Sequence, residues 1–172
     1  MIVNSTVPQL HDRFLTCEGI STDTRTIGKG SMFFALKGPN FNANAFAVEA
    51  LAKGARIAVV DDASIATDDR FLLVADVLRA LQDLATHHRR GFNIPVIAIT
   101  GTNGKTTTKE LVHAVLSANR ATLATTGNLN NHIGVPLTLL KLKPDHKIAI
   151  IEMGASKRGD IAELCAIAEP TH

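Results

Sequence analysis

Two cysteines among 172 residues leave little scope for covalent or zinc-based stabilisation. Cys17 and Cys165 stand far apart and lack any metal-type pairing, so neither a disulfide framework nor a zinc site is expected, and both thiols read as buried and reduced. A strong charge imbalance is missing too: 18 basic residues against 16 acidic ones give a net charge of +2, with the signs interspersed. That pattern argues against a polyanion-tracking surface and a membrane-seeking patch, so no nucleic-acid partner is expected. No apolar run approaches the ~20 residues of a membrane span, and no basic segment leads into a long apolar stretch at the start. The chain therefore reads as cytoplasmic, without membrane insertion. Internal repeats and low-complexity segments are absent as well.

What is present is a hydrophobic content of 45%, enough to bury one large or two small cores. Residues 7–15 place Val7, Leu10, Phe14 and Leu15 on one helical face, with Ser5 or Thr6 as cap and Pro8 in the first turn. Residues 31–36 read as a buried strand ended by the breaker Lys37-Gly38-Pro39-Asn40. A helix over 45–53, with Phe46, Val48, Ala50 and Leu51 mostly inward, stops at Gly54, and strands follow at 56–60 and 71–74. Together these predict a compact α/β unit. Between the first helix and strand lies Ser21-Thr22-Asp23-Thr24-Arg25, which is either an ordinary polar turn or a ligand contact. Lys37-Gly38, at a strand end, is a second candidate for meeting a phosphate.

Asp76 caps the next predicted helix, whose apolar stripe is Val77, Leu78, Leu81, Leu84 and Ala85. Its last turn, His87-His88-Arg89-Arg90, reads as a solvated end that complements the helix dipole. Adjacent histidines point about 100° apart on a helix and cannot chelate one ion together. Composition resets at Gly91-Phe92-Asn93, which suggests an organisation of 1–80 and 81–172.

The stretch that carries chemistry is 94–108. A β-branched apolar run breaks into Gly101-Thr102-Asn103-Gly104-Lys105-Thr106-Thr107 and opens directly onto a helix. Glycines let consecutive N–H groups turn toward one anion, and a helix N-terminus adds its partial positive charge. Lys105 is placed to reach outer phosphates, and the Thr106 hydroxyl to serve as a magnesium ligand. The usual phosphate-loop spacing puts its first glycine where this chain has Ile99, so the loop is a shortened variant.

Two later segments share its logic. Gly127-Asn128-Leu129-Asn130-Asn131-His132-Ile133-Gly134 is a loop of amides and permissive backbone, read as substrate-facing through Asn130 and Asn131 and followed by a short helix over 137–142. The run 147–151 ends at Glu152-Met153-Gly154, and in parallel α/β sheets such strand ends collect at the ligand edge. Glu152 is therefore a candidate to hold magnesium alongside Thr106. A last helix is expected over 159–168.

The loop Gly101-Thr102-Asn103-Gly104-Lys105-Thr106-Thr107-Thr108 resembles the ATP loop of the Mur ligases, the amide-forming enzymes of peptidoglycan precursor synthesis, which use this shortened form. The stretches 127–138 and 152–155 resemble the type within that family that adds D-alanyl-D-alanine. Ser21-Thr22-Asp23-Thr24-Arg25 and 33–38 resemble its N-terminal domain, which holds the uridine diphosphate end of the substrate. The family tends toward Asp-Gly-His where this chain has Asn42-Ala43-Asn44.

This resemblance implies a small α/β uridine-nucleotide-binding domain followed by the first, incomplete part of a P-loop parallel-sheet ATP-binding domain. It implies ATP and Mg2+ as cofactors, and a UDP-linked muramoyl tripeptide and D-alanyl-D-alanine as substrates. ATP would phosphorylate the tripeptide carboxylate and the dipeptide amine would attack the acyl phosphate, with Lys105 and Glu152 in the catalytic roles. A sister ligase adding the third peptide residue, or a nucleotide-binding module without ligation chemistry, is the alternative. With three predicted strands of the ATP sheet, the chain as given is expected to be inactive in ligation and prone to self-association along its uncovered edge.

Overall fold

The computed structural model describes residues 5–172. They form two units, one up to Leu84 and the other from Ala85 on, so the chain passes from the first to the second inside a helix.

The first unit opens with α1 (Val7–Phe14), whose Leu10 and Phe14 are buried. The backbone N–H of Thr6, at its N-cap, donates to Gln9 Oε1 at 2.9 Å. Then come β1 (Ile20–Ser21), β2 (Met32–Phe34), β3 (Lys37–Gly38), β4 (Phe41–Asn42), α2 (Ala47–Ala52), β5 (Ile57–Val60), β6 (Phe71–Leu73) and α3 (Val77–Arg90). Strands β1, β2, β5 and β6 make one parallel sheet in the order β1-β2-β5-β6, and β3 and β4 form a separate antiparallel hairpin. The parallel pairing suits β2 and β5, which are buried along their whole length.

The face that α2 turns inward follows the expectation at Ala50 and Leu51 and departs from it at Phe46 and Val48. Ala47 and Ala50 are buried, whereas Phe46 and Val48 are exposed. The reason is volume: Phe33 and Phe71 from the sheet fill the same cluster as Ala43, Ala47, Ala50, Ala55 and Ala58, so small helix residues complete it.

The second unit begins in α3 and adds β7 (Val96–Ile99), α4 (Lys105–Ser117), β8 (Thr122–Ala124), α5 (Gly134–Leu139), β9 (Ile148–Glu152) and α6 (Asp160–Ala168). Its three strands are parallel in the order β7-β9-β8. The central strand β9 is buried throughout, as its Ile-Ala-Ile-Ile run requires. Outside β7 the chain pairs again: Thr171 N–H donates to the Val96 carbonyl at 2.8 Å, and Ala98 N–H to that of His172 at 2.8 Å.

The end of α3 is exposed, as the sequence suggested, at His87 and Arg90, but not at the two residues between them. His88 and Arg89 are buried. Arg89 donates to the carbonyls of Ala168, Phe92 and Glu169, so its guanidinium caps the end of α6 rather than its own helix dipole. Burial pulls this guanidinium below the usual arginine range, opposed by the nearby Glu169 carboxylate. Helix α5 also starts earlier than expected, at Gly134, because Pro136 is compatible with a first helical turn.

Candidate functional site

The carboxyl edge of the second sheet gathers the end of β7, the loop 100–104, the end of β8 and the end of β9. Gly104 occupies the N-cap of α4 with φ 75°, a left-handed conformation that glycine adopts without a Cβ clash. The first turn of a helix leaves N–H groups without intrahelical carbonyls, and here that turn carries Lys105, Thr106 and Thr107 behind exposed Gly101, Thr102 and Asn103. Lys105 folds back over the loop, its Nζ donating to the Gly101 carbonyl at 2.7 Å. The loop thus presents one side-chain cation and a helix N-terminus on the same exposed surface.

Glu152, the last residue of β9, is 1% exposed. Its Oε1 accepts from the Thr106 hydroxyl at 3.2 Å and from Asn130 Nδ2 at 2.8 Å. Both donors fall on one oxygen, and among the described residues the buried Oε2 has no hydrogen-bond partner. A buried polar atom in that condition costs about 1–3 kcal/mol, more for a charged group. A hydroxyl and a carboxylate with an unused oxygen are the hard donors that magnesium takes, one or two from protein and the rest from water and phosphate. The donor set fits such an ion. Among the described residues no group of three or more His, Cys, Asp or Glu side chains could enclose a metal, so an all-protein cage is not the arrangement here.

Sequence reasoning missed two residues that hold this edge together. The Thr125 hydroxyl, just past β8, accepts the Glu152 N–H at 2.9 Å, and the Thr125 carbonyl accepts from the buried Lys109 Nζ at 2.7 Å. Lys109 falls among the charged and polar residues of α4 and gives no sign in sequence that it points inward.

The two asparagines of the loop separate in role. Asn130 reaches Glu152, whereas Asn131 Oδ1 accepts the N–H groups of Ile133 and Gly134 and so caps α5. Beside them Asn131, His132, Gly154, Lys157, Asp160 and Glu163 line a cleft of about 260 Å³. Asp160 accepts the N–H groups of Ser156 and Lys157, which hold its carboxyl below the usual carboxylate range.

In the first unit, Asp23 and Arg25 bind one another. The Asp23 carboxylate accepts the Arg25 backbone N–H at 2.9 Å and pairs with its guanidinium at 2.6 Å. Those side-chain and backbone hydrogen bonds from Arg25 lower the Asp23 carboxyl to about 2. The Ser21 hydroxyl donates to the Asp23 carbonyl, so Ser21, Asp23 and Arg25 form one local turn that also contains Thr22 and Thr24. Lys37 pairs with Asp61 at 2.8 Å, and the Phe41 ring lies over Gly38. Where the sequence has Asn42-Ala43-Asn44, Asn44 is buried and bonds both Asn42 and Asp61, at 2.8 and 2.7 Å.

A parallel sheet whose glycine loop opens onto a helix N-terminus, with a strand-end carboxylate on the same edge, is the arrangement of the phosphate-loop class of α/β folds, and comparison narrows it. Residues 16–89 match the Mur ligase family, catalytic domain, and residues 99–172 match the Mur ligase middle domain. The chain belongs to the Mur ligase family. It is 49% identical over 156 residues to the UDP-N-acetylmuramoyl-tripeptide–D-alanyl-D-alanine ligase of Synechocystis sp., covering 88% of this chain and 34% of that protein. Among solved structures it resembles MurF from Acinetobacter baumannii, with a TM-score of 0.83 and 36% identity over 98% of this chain and 40% of that one. It also resembles the MurF ligase of Thermotoga maritima in complex with ADP, with a TM-score of 0.80 and 36% identity over 91% and 36% of the two chains. The chain spans about a third of the length of the curated relatives it matches.

Proposed function

We propose that this chain carries the uridine-nucleotide and phosphate-loop parts of an ATP-dependent ligase that joins D-alanyl-D-alanine to UDP-N-acetylmuramoyl-tripeptide in peptidoglycan precursor synthesis. The observation that carries the reading is Glu152, a buried carboxylate with an unused oxygen that the Thr106 hydroxyl and Asn130 hold against the glycine loop. The naming of its relatives and the ADP complex of one of them support the choice of substrates.

In this reading the loop Gly101, Thr102, Asn103, Gly104, Lys105, Thr106 and Thr107 receives the ATP phosphates, through N–H groups and the Lys105 ammonium. Magnesium, held by Thr106 and Glu152, would supply charge neutralisation on the phosphates. Ser21, Thr22, Asp23, Thr24 and Arg25, with Lys37 and Gly38, face the uridine diphosphate end of the substrate, and Asn130 and Asn131 face its peptide. The tripeptide carboxylate oxygen attacks the γ-phosphorus and ADP leaves. The dipeptide amine then attacks the acyl carbon and inorganic phosphate leaves. Such chemistry needs positioning and electrostatic stabilisation more than a protein nucleophile.

The test is ligation by the full-length protein with ATP, UDP-linked tripeptide labelled with 18O in its terminal carboxylate, and D-alanyl-D-alanine. The expected result is one ADP per amide formed and one 18O transferred to inorganic phosphate. Product without label transfer overturns the acyl-phosphate route, and no product with this dipeptide overturns the assigned substrates.

A further inference from the structure

Lys109 is 1% exposed, and no step of the proposed reaction uses it. Its Nζ donates to the Thr125 carbonyl at 2.7 Å and pairs with Glu110 at 2.7 Å, the latter a largely exposed carboxylate on the same helix. Burying an ammonium is costly even when it is paired. A methionine would pack the same stem without that cost, so a packing role does not account for a lysine here.

The geometry of its partners does. Thr106 and Lys109 lie three residues apart on α4 and share a face. Each sends one hydrogen bond to the carboxyl edge of the sheet. The Thr106 bond ends on the Glu152 side chain; the Lys109 bond ends on Thr125, whose hydroxyl holds the Glu152 N–H. These contacts close a circuit through α4, the end of β8 and the end of β9. With both rungs in place, the helix can neither roll about its axis nor slide along it without breaking one of them.

We propose that Lys109 is a positioning residue for the metal: through Thr125 it sets the register of α4 against Glu152, so that the Thr106 hydroxyl and the Glu152 carboxylate meet on one magnesium ion. The inference rests on the reading of Thr106 and Glu152 as the magnesium pair. It assigns the loop N–H groups and Lys105 to phosphate affinity, which is independent of Lys109, and assigns the gain in affinity on adding magnesium to the circuit that Lys109 closes.

The experiment is calorimetric titration of the protein with a non-hydrolysable ATP analogue, in EDTA and in saturating Mg2+, the ratio of the two affinities being the readout. Lys109→Met should leave the affinity in EDTA within about twofold and cut the magnesium ratio at least tenfold. Thr125→Val keeps the carbonyl that Lys109 uses but removes the hydroxyl that holds Glu152, and should produce the same cut. Because both substitutions open one circuit, the double variant should lose no more than either alone. A folded Lys109→Met protein with an unchanged ratio overturns the proposal. So does an equal loss in EDTA and in Mg2+, the signature of a merely structural residue. If Lys109→Met does not fold, Thr125→Val carries the test alone with the same two outcomes. Glu152→Gln separates the premises: should it leave the ratio of the parent protein intact, the reading of Thr106 and Glu152 as the metal pair is what fails.

Discussion

The Thr106 hydroxyl donates to Glu152 Oε1 at 3.2 Å across 46 positions of sequence, and the other, buried carboxylate oxygen of Glu152 has no partner among the described residues. One residue lies in the first turn of a helix and the other ends a strand, and the parallel sheet brings both to one edge. Their meeting makes stability and ligand binding opposed demands on Glu152.

Glu152→Gln should therefore act in opposite directions on the two. An amide keeps an oxygen for Thr106 and Asn130 and removes the uncompensated carboxylate, so the unfolding midpoint in denaturant is expected at or above that of the parent. Magnesium-dependent nucleotide affinity should fall in the same protein. A stability loss larger than about 1 kcal/mol would mean that the carboxylate is satisfied in the folded state and that the orphaned oxygen is no argument for a ligand.

Among the described residues Lys105 donates only to the Gly101 carbonyl, a contact within its own loop. Lys105→Ala should leave folding unchanged and remove one charge-assisted phosphate contact, a loss of about 1.5–3 kcal/mol or roughly 10- to 150-fold in triphosphate affinity. Calorimetry with a non-hydrolysable analogue reads this directly, and equal affinity in a folded variant removes Lys105 from the phosphate site.

Gly134 starts α5 against the backbone of Leu129, and a Cβ there would overlap Leu129 main-chain atoms, which cannot swing aside as a side chain would. Gly134→Ala is expected to destabilise the second unit by about 1–3 kcal/mol or more. Because the same loop presents Asn130 to Glu152, its amide signals should shift in NMR spectra as well. A neutral substitution would show that the loop and helix are not packed as closely as described.

The Asp23 carboxyl is lowered to about 2 by hydrogen bonds from Arg25. A depressed carboxyl contributes stability above its unfolded value, the ordinary 3.8, and loses it as pH falls through about 2. Both partners are at the surface, so the global effect is small and the local titration is the measurement. Carbonyl NMR should place the Asp23 midpoint near 2, and Arg25→Ala should return it toward 3.8. A midpoint unmoved by that substitution would assign the shift to another cause.

The glycine loop with Lys105 and Thr106, and the strand that ends at Glu152, were legible because each is a local pattern: a β-branched run, a breaker, then helical spacing. The α/β class followed from the same alternation. The inward face of α2 was not, since whether Phe46 or Ala47 turns inward depends on the volume that Phe33 and Phe71 already occupy. Nor was the end of α3, where composition alone made Arg89 a surface residue and α6 supplies the carbonyls that bury it.

What the sequence by itself determined is the set of elements and the chemistry at their ends, because period, breakers and cap residues act within a few positions of one another. Only the tertiary structure decided which ends share an edge and which polar atoms are spent there. Asn130 and Asn131 are adjacent and chemically identical, yet one reaches Glu152 and the other caps α5. Lys109 reads as one more charge on a helix until Thr125 is packed beneath it. Hydrogen-bond partners 16 or 46 positions away leave no local trace, because what selects them is the register of the sheet and the roll of the helix over it.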